Sequence, residues 1–526
     1  MTKILKISLG VVSGVIAISI AVVLIIHFKP DNKPKIPAPD YWPTDVWQLS
    51  TPEEQGLDSI KLAEGLRSIQ TAGYPIHSLM IVRNGYVVLD AMFYPYDGQQ
   101  PHNLGSVTKS VVSALIGIAI DQGKINLDDH LLSFFPTESI ANQESRKDHI
   151  TVRDLLSMTS GLDCVGLPSE ATMQAMEASP DWVQYMLDLP MAAEPGNNFV
   201  YCGGNMHLLS AILQRATGMT ALEYARLNLF EPLGIQNVVW PTDPQGVCQG
   251  SGNIRLLPAD MARLGFLFLH DGLWNGRQVV SQEWVRNAVR VQSKAGSYGY
   301  GWWVSTGKSG SEFNADGAGG QHIAVVPGLN LILATTGGGF NVDDVVPFLF
   351  PALVDMNKSL PANPAGVTDL NTTLRKLIEA PQPQPSSPLP DLAIQISGQT
   401  IQLENNLLKL KSVQLEFSDS AASIQFAFVD GSHSPVAVIG LDGIYRMTAG
   451  VGLDRALRTE GETAGQNVGM RGAWTDEQTF AIDYNTITNR YAYQLVLEFK
   501  PNGVTLVASD RLYGTSVSIS GTQQNR

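Results

Sequence analysis

Two runs of closely spaced prolines, at positions 30, 34, 37, 39 and 43 and at positions 381, 383, 385, 388 and 390, most constrain what this chain can fold into. Proline lacks an amide hydrogen and fixes φ, so neither run can lie inside a helix or a central strand. Each reads as an extended connector, and together they separate stretches of different periodicity. Between them the sequence predicts strands over residues 78–82 and 86–94, joined at Asn84-Gly85, a strong two-residue hairpin signal. A long, mainly helical region follows, and then strand-like runs over residues 321–326 and 329–335, broken by Pro327-Gly328. Strands, helices and strands in that order predict an antiparallel sheet packed with helices plus a helical subdomain, an α+β arrangement with a cleft between the two. Beyond the second proline run helical periodicity disappears. Val413/Leu415/Phe417, Ile424/Phe426/Phe428, Phe480/Ile482/Tyr484, Leu495/Leu497/Phe499 and Val517/Ile519 alternate with mostly polar neighbours, and turns such as Pro501-Asn502-Gly503 separate some of them. That pattern predicts a C-terminal antiparallel β domain, barrel or sandwich.

With 526 residues, two or three domains are expected. The net charge of −14 leaves no basic excess to neutralise phosphates, which argues against a nucleic-acid partner. Residues 7–28 are uncharged and mostly aliphatic, flanked by Lys6 and Lys29, and long enough to cross a hydrocarbon core. The residues that follow have no small-x-small pattern, so an uncleaved signal anchor is favoured over a cleaved signal peptide. The three cysteines, Cys164, Cys202 and Cys248, allow one disulfide and leave one thiol over. Neither they nor the nine histidines fall at metal-ligand spacing, so no metal or cofactor is expected.

Ser106-Val107-Thr108-Lys109 opens a segment, residues 106–122, that reads as a buried helix. Val107, Val111, Val112, Leu115, Ile116, Ile118, Ala119 and Ile120 cover nearly its whole circumference, and Gly123 supplies a stop. Ser106 and Lys109, one turn apart, share a face. An apolar surround and the positive end of the helix both disfavour the charged amine. A neutral amine beside a hydroxyl is the base a serine nucleophile requires. The other Ser-x-x-Lys, Ser305-Thr306-Gly307-Lys308, lies in a Gly/Ser-rich loop with no helix after it.

The stretch from Ser106 to Pro136, then Leu155-Leu156-Ser157-Met158-Thr159-Ser160-Gly161-Leu162, then Pro195-Gly196-Asn197-Asn198-Phe199-Val200-Tyr201, resembles the serine β-lactamase and penicillin-binding-protein superfamily. The branch it is similar to is the class C-like one, which holds esterases, D-aminopeptidases and 6-aminohexanoate-dimer hydrolases. Tyr298-Gly299-Tyr300-Gly301-Trp302, Gly317-Ala318-Gly319-Gly320-Gln321 and Val325-Val326-Pro327 extend the resemblance, which covers roughly residues 50 to 355. It implies a β-lactamase/transpeptidase-like fold and a serine hydrolase that cleaves an ester or amide through an acyl-Ser106 intermediate. Lys109 and Tyr201 are then the general base and acid. A D-Ala-type peptidase or β-lactamase, and a non-catalytic binding or sensor protein of the same fold, are the alternatives. The implied organisation is a signal anchor at 1–28, a stalk at 29–45, the hydrolase domain at 46–360, a linker at 361–392 and the β-rich domain at 393–526. The apolar run makes a single-pass protein of the cell membrane the expectation, and the resemblance implies a catalytic domain outside the cytoplasm and a small-molecule or peptide-like substrate.

Where relatives have Tyr-x-Asn, Tyr201-Cys202-Gly203 keeps the tyrosine and replaces the asparagine with glycine, which is expected to leave room. A phenol beside a cationic lysine is expected to exchange its proton more readily. The third motif aligns at Ala315-Asp316-Gly317, which makes the backbone N–H groups of Ser106 and Ala318 the implied oxyanion hole; a small shift would substitute Gly319 or Gly320. Gly203, Gly317, Gly319, Gly320 and His322 are candidates to line the cleft. The cation that relatives set against a substrate carboxylate is absent from this motif, with His322 as a conceivable substitute. Uncharged esters or amides are therefore expected to be preferred over penicillins.

Overall fold

The computed structural model describes residues 36–166, 170–293, 297–305, 312–418, 421–453, 466–512 and 514–523. A six-stranded antiparallel sheet carries the first unit. Its strands are β1 (Ile76–Arg83), β2 (Tyr86–Met92), β3 (Trp303–Val304), β4 (Phe313–Gly317), β5 (Gln321–Val326) and β6 (Leu331–Gly337), in the spatial order β2-β1-β6-β5-β4-β3. The turn between β1 and β2 is Asn84-Gly85, both at positive φ (51° and 87°), as the hairpin signal requires. Strand β1 is buried along its whole length because both faces of the sheet are covered. Met80 and Val82 join one core, while Leu79 and Ile81, pointing the other way, join a second.

The first core receives helix α2 (Thr108–Asp121), helix α3 (Gly203–Thr217) and helix α4 (Pro258–Leu269). On the opposite face lie α1 (Ser59–Ala72), α5 (Val342–Leu349) and α6 (Pro364–Ile378), around Leu62, Leu66, Leu349, Leu370 and Leu377. Helix α6 occupies half of the stretch read as linker. Asn363 caps it by accepting from the Gly366 amide and Pro364 takes its first turn, where no amide hydrogen is needed. Its apolar stripe then packs on α1.

Beyond it runs a ten-stranded antiparallel sheet: β7 (Thr400–Leu403), β8 (Leu410–Phe417), β9 (Ala421–Phe428), β10 (Ala437–Gly440), β11 (Arg446–Ala449), β12 (Asn467–Trp474), β13 (Thr479–Thr486), β14 (Ala492–Lys500), β15 (Gly503–Asp510) and β16 (Ser516–Gln523). A parallel pairing of β10 with β12, at Gly440 and Arg471, the exception to the antiparallel order, closes nine of these strands into a barrel and leaves β11 outside. Strict alternation of buried and half-buried residues along β9, β13 and β15 sends Ile424, Phe426, Phe480, Ile482 and Leu506 into its interior. The α+β class expected from the sequence is the one the chain adopts, and the C-terminal unit is a closed barrel rather than a sandwich. The barrel touches the first unit directly. The Asn103 amide donates to the Thr488 carbonyl at 2.8 Å, and the Tyr445 amide to the Tyr94 hydroxyl at 3.0 Å.

The expected single-pass membrane placement, with anchoring through an N-terminal helix, is corrected. Among the described residues no helix is long and apolar enough to cross a membrane. The longest described helices have 15 residues, about 22 Å at ~1.5 Å per residue against a hydrocarbon core of ~30 Å. Residues 7–28, on which that expectation rested, lie outside the described residues.

Candidate active site

Ser106 sits in a single 3-10 turn, Gly105–Val107, that runs straight into α2. The Gly105 amide donates to Asn103 Oδ1 at 2.8 Å and the Thr108 hydroxyl to the Gly105 carbonyl at 2.6 Å, which fixes the entry angle of the helix. Two further serines of α2 hold the Tyr298–Trp302 run in place. Ser110 Oγ donates to the Gly301 carbonyl and Ser113 Oγ to the Tyr300 carbonyl, each at 2.6 Å. Gly301 has φ +77°, and a Cβ there would stand 2.7 Å from the Lys109 carbonyl oxygen, so only glycine allows this approach.

Lys109 is 2% exposed, and its Nζ donates to Ser106 Oγ at 2.8 Å and to the Ser251 carbonyl. Burial drives its pKa down to about 8; Glu170 and Glu177 oppose the shift and Arg490 adds to it. The serine and the amine that the sequence paired are therefore in contact, and the amine loses its proton far more readily than an ordinary lysine. Ser251, which anchors the amine from 142 positions along the chain, carries no signal in the sequence.

Tyr201 is half-buried, its ring centroid 5.0 Å from Lys109 Nζ. It stacks on Trp303 at 5.3 Å and meets Tyr298 edge-on at 5.8 Å, so the quoted aromatic run and the residue just after it build one wall of the cleft. Desolvation pushes the Tyr201 phenol well above its ordinary range; a hydrogen-bonding interaction with Ser106 only partly opposes this, and Glu170 and Asp316 reinforce it. The phenol thus holds its proton more firmly, where the sequence reading expected it to be loosened. The Cys164–Cys202 disulfide ties down the residue next to Tyr201, and Cys248 remains a buried thiol.

The third motif falls on β4, with Ala318 in the turn to β5. Gln321 steadies this turn by donating to the Ala318 and Gly337 carbonyls at 3.3 and 2.7 Å. A Cβ built on Gly317 would lie 2.2 Å from the Leu104 carbonyl, and one built on Gly105 would lie 3.5 Å from the Ala318 nitrogen. The strand and the serine turn are thus in close contact. Gly319 and Gly320, at φ +91° and +93°, form the turn itself.

Two cleft candidates behave differently from expectation. Gly203 begins α3 with the space over it taken by the flexible Met173 side chain, whose Sδ would stand 2.6 Å from a Cβ there and would have to shift to admit one. His322 faces Asp316 across the β4–β5 register and is ion-paired with it. Burial lowers its pKa, but Asp316, Glu312 and Asp343 outweigh this and the net shift is upward. His322 is therefore occupied by Asp316 rather than offered to a ligand. Among the described residues no group of three or more His, Cys, Asp or Glu side chains could hold a metal ion.

The residue that sequence reasoning missed is Arg490, in the β13–β14 connection of the barrel. A Cβ on Gly105 would lie 2.5 Å from its Nη1, and one on Gly319 would lie 2.9 Å from its Cβ. The sequence holds no local signal for this, since a barrel loop reaches the nucleophile turn only through the packing of the two units.

A family model described as Beta-lactamase matches residues 66–346. The 6-aminohexanoate-dimer hydrolase of Paenarthrobacter ureafaciens is 24% identical over 276 residues, a match covering 48% of this chain and 69% of that enzyme. Protein flp of Staphylococcus aureus (strain N315) is 26% identical over 194 residues, covering 35% of this chain and only 38% of that relative. Among solved structures, one from Bacillus anthracis provisionally named a 6-aminohexanoate-dimer hydrolase superposes with a TM-score of 0.50 and 18% identity, over 62% of this chain and 89% of that one. That structural likeness is one of fold.

Proposed function

The chain belongs to the Beta-lactamase family, and from that premise we propose that it is a serine hydrolase acting on an ester or amide through an acyl-Ser106 intermediate. The observation that carries this reading is the Lys109 amine, 2% exposed, drawn down to a pKa of about 8 and 2.8 Å from Ser106 Oγ. Hydrolases among the relatives support the same class of reaction.

In this reading neutral Lys109 takes the hydroxyl proton as Ser106 Oγ attacks the carbonyl carbon. The oxyanion is received by the Ser106 and Ala318 amides. Tyr201, protonated because burial raises its phenol, gives its proton to the leaving alcohol or amine and recovers one from Lys109. Neutral Lys109 then takes a proton from the water that attacks the acyl carbon, the acyl carbon–Oγ bond breaks and Lys109 returns that proton to Ser106 Oγ.

The pH dependence follows from the direction of the lysine shift. Below about pH 8 the amine is mostly protonated and cannot accept the serine proton; above it the neutral, active form dominates. We expect kcat/KM for a neutral aryl ester to rise with pH through about 8 and then level off, whereas an unperturbed lysine would place that rise near ~10.4. A flat profile between about pH 6 and 9 would remove Lys109 as the base. Tyr201→Phe is expected to lower kcat by roughly 10²-fold or more. Combined with Lys109→Met it should add little to the worse single loss, since groups acting as a unit are not additive. Losses that multiply in the double variant would show two independent functions.

A further inference from the structure

The loop that carries the Ser251 carbonyl, on which Lys109 is anchored, is tied to the Ser106 turn by a row of buried side-chain amides. Residues 102–103 and 255–256 form a short antiparallel ladder, extended by the Leu104 amide donating to the Ile254 carbonyl at 2.9 Å. Ser106 and Ser251 lie beyond the end of that backbone pairing. There Asn103 Oδ1 accepts from the Gly105 amide at 2.8 Å, and Asn103 Nδ2 donates to Asn253 Oδ1 at 3.1 Å. Asn253 Nδ2 donates in turn to Gln249 Oε1 at 2.8 Å, and Gln249 Nε2 to the Thr242 carbonyl at 3.3 Å. All three carboxamides are buried. The two ends give the row one direction. A backbone N–H can only donate and a carbonyl can only accept, so each carboxamide between them turns its oxygen toward Gly105 and its nitrogen toward Thr242. Reversing any one of them sets like groups face to face in a site without water to relieve them. Asn253 has φ +74°, a region that asparagine enters more readily than most residues with a Cβ. The position asks for that backbone, an acceptor on one side and a donor on the other, and asparagine meets all three demands.

We propose that Asn253 is a positioning residue that holds the Ser251 carbonyl, and with it the Lys109 amine, in register with the Ser106 hydroxyl. The inference rests on the acyl-Ser106 reading and adds the device that keeps its base and nucleophile together. Lys109 Nζ donates both to Ser106 Oγ and to the Ser251 carbonyl. A shift of the 249–253 loop against the Gly105 turn therefore moves one partner of the amine and leaves the other in place. Proton transfer tolerates little of this, since a displacement of ~1 Å can cost ~10²-fold in rate. The loop and the turn are close enough for such a link to act directly. A Cβ built on Gly252 would lie 3.6 Å from the Gly105 carbonyl.

The test is Asn253→Gly in the full chain, which suits the positive φ and removes the link on both sides. The backbone ladder remains to hold the fold, as does the Thr108 hydroxyl, which accepts from the Ile254 amide at 3.2 Å. Hydrolysis of p-nitrophenyl butyrate is expressed per active serine, counted by the end-point of alkyl fluorophosphonate labelling. On that basis kcat and kcat/KM should both fall by roughly 10–100-fold, with KM changed by less than about threefold. The midpoint of the kcat/KM rise should move above about 8, because a loosened loop admits water to an amine whose burial depresses it. Glu170, Glu177 and Arg490, whose charges also act on Lys109, are unaltered by the substitution. Gln249→Met breaks the same row one amide further on and should move both readouts the same way. The double variant should be little worse than the worse single one, since the two share one row. A merely structural role would instead reduce the number of serines labelled, with rate per site and midpoint unchanged, and that result overturns the inference. Should Asn253→Gly not fold, Gln249→Met carries the test alone. Failure of both to label overturns the inference too, by making the row a requirement of the fold. A wild type with no adduct on Ser106 refutes the acyl-serine reading itself, whereas a labelled wild type with unaffected variants refutes only the role of Asn253.

Discussion

Ser106→Ala is expected to lower the hydrolysis of an aryl ester by about 10⁴-fold or more, down to the level that binding and backbone donors alone sustain. The size follows from the site. The Lys109 amine is aimed at this hydroxyl at 2.8 Å, and removing the oxygen leaves the base with no proton to take. The substitution should not disturb the fold, because the turn is held by bonds through Asn103, Gly105 and Thr108 rather than through the Ser106 side chain. Stopped-flow and steady-state rates on p-nitrophenyl butyrate, together with an unchanged thermal midpoint, check both halves. More than a tenth of wild-type activity in the variant would move the nucleophile elsewhere.

Lys109→Met is expected to lower kcat by about 10²–10⁴-fold and also to change how stability depends on pH. Burial holds the folded-state pKa near 8, below the ordinary lysine value of 10.5. Between those two pH values the unfolded chain binds the extra proton, so stability rises with pH across that window. At pH 7 the depressed amine costs the fold roughly 3 kcal/mol, and the Met variant escapes this while losing the bond to the Ser251 carbonyl, worth ~1–3 kcal/mol. The variant should be at least as stable as wild type at pH 7, and any excess should shrink toward pH 10. Urea unfolding at several pH values measures this; an excess that grows with pH would mean the lysine is charged in the folded protein.

How much of this was legible in the sequence depended on distance along the chain. Ser106, Lys109 and the helix behind them are local, and so is the Asn84-Gly85 hairpin, because adjacent residues set both backbone and partner. The barrel was legible as β because buried and exposed residues alternate with period 2, but its closure through Gly440 and Arg471 joins strands the alternation cannot pair. Helix α6 was obscured by the prolines that follow it, although Asn363-Pro364 is a proper helix start. The Tyr201 phenol was misjudged because neighbouring charge was visible in the motif while burial was not. Gly203 looked like open space until Met173, 30 positions earlier, proved to fill it. Ser251 and Arg490 reach the nucleophile only through tertiary packing. Three cysteines could not say which pair would meet; the loop that brings Cys164 to Cys202 decided it.

The most direct measurement is labelling of the purified protein with an alkyl fluorophosphonate, followed by peptide mass mapping. The account predicts a single adduct, on Ser106, forming faster as pH rises through about 8 and absent from Ser106→Ala. Ser305, whose amide donates to the Glu312 carbonyl at the edge of the sheet, should stay unmodified. An adduct on any other serine, or labelling undiminished in Ser106→Ala, would contradict it.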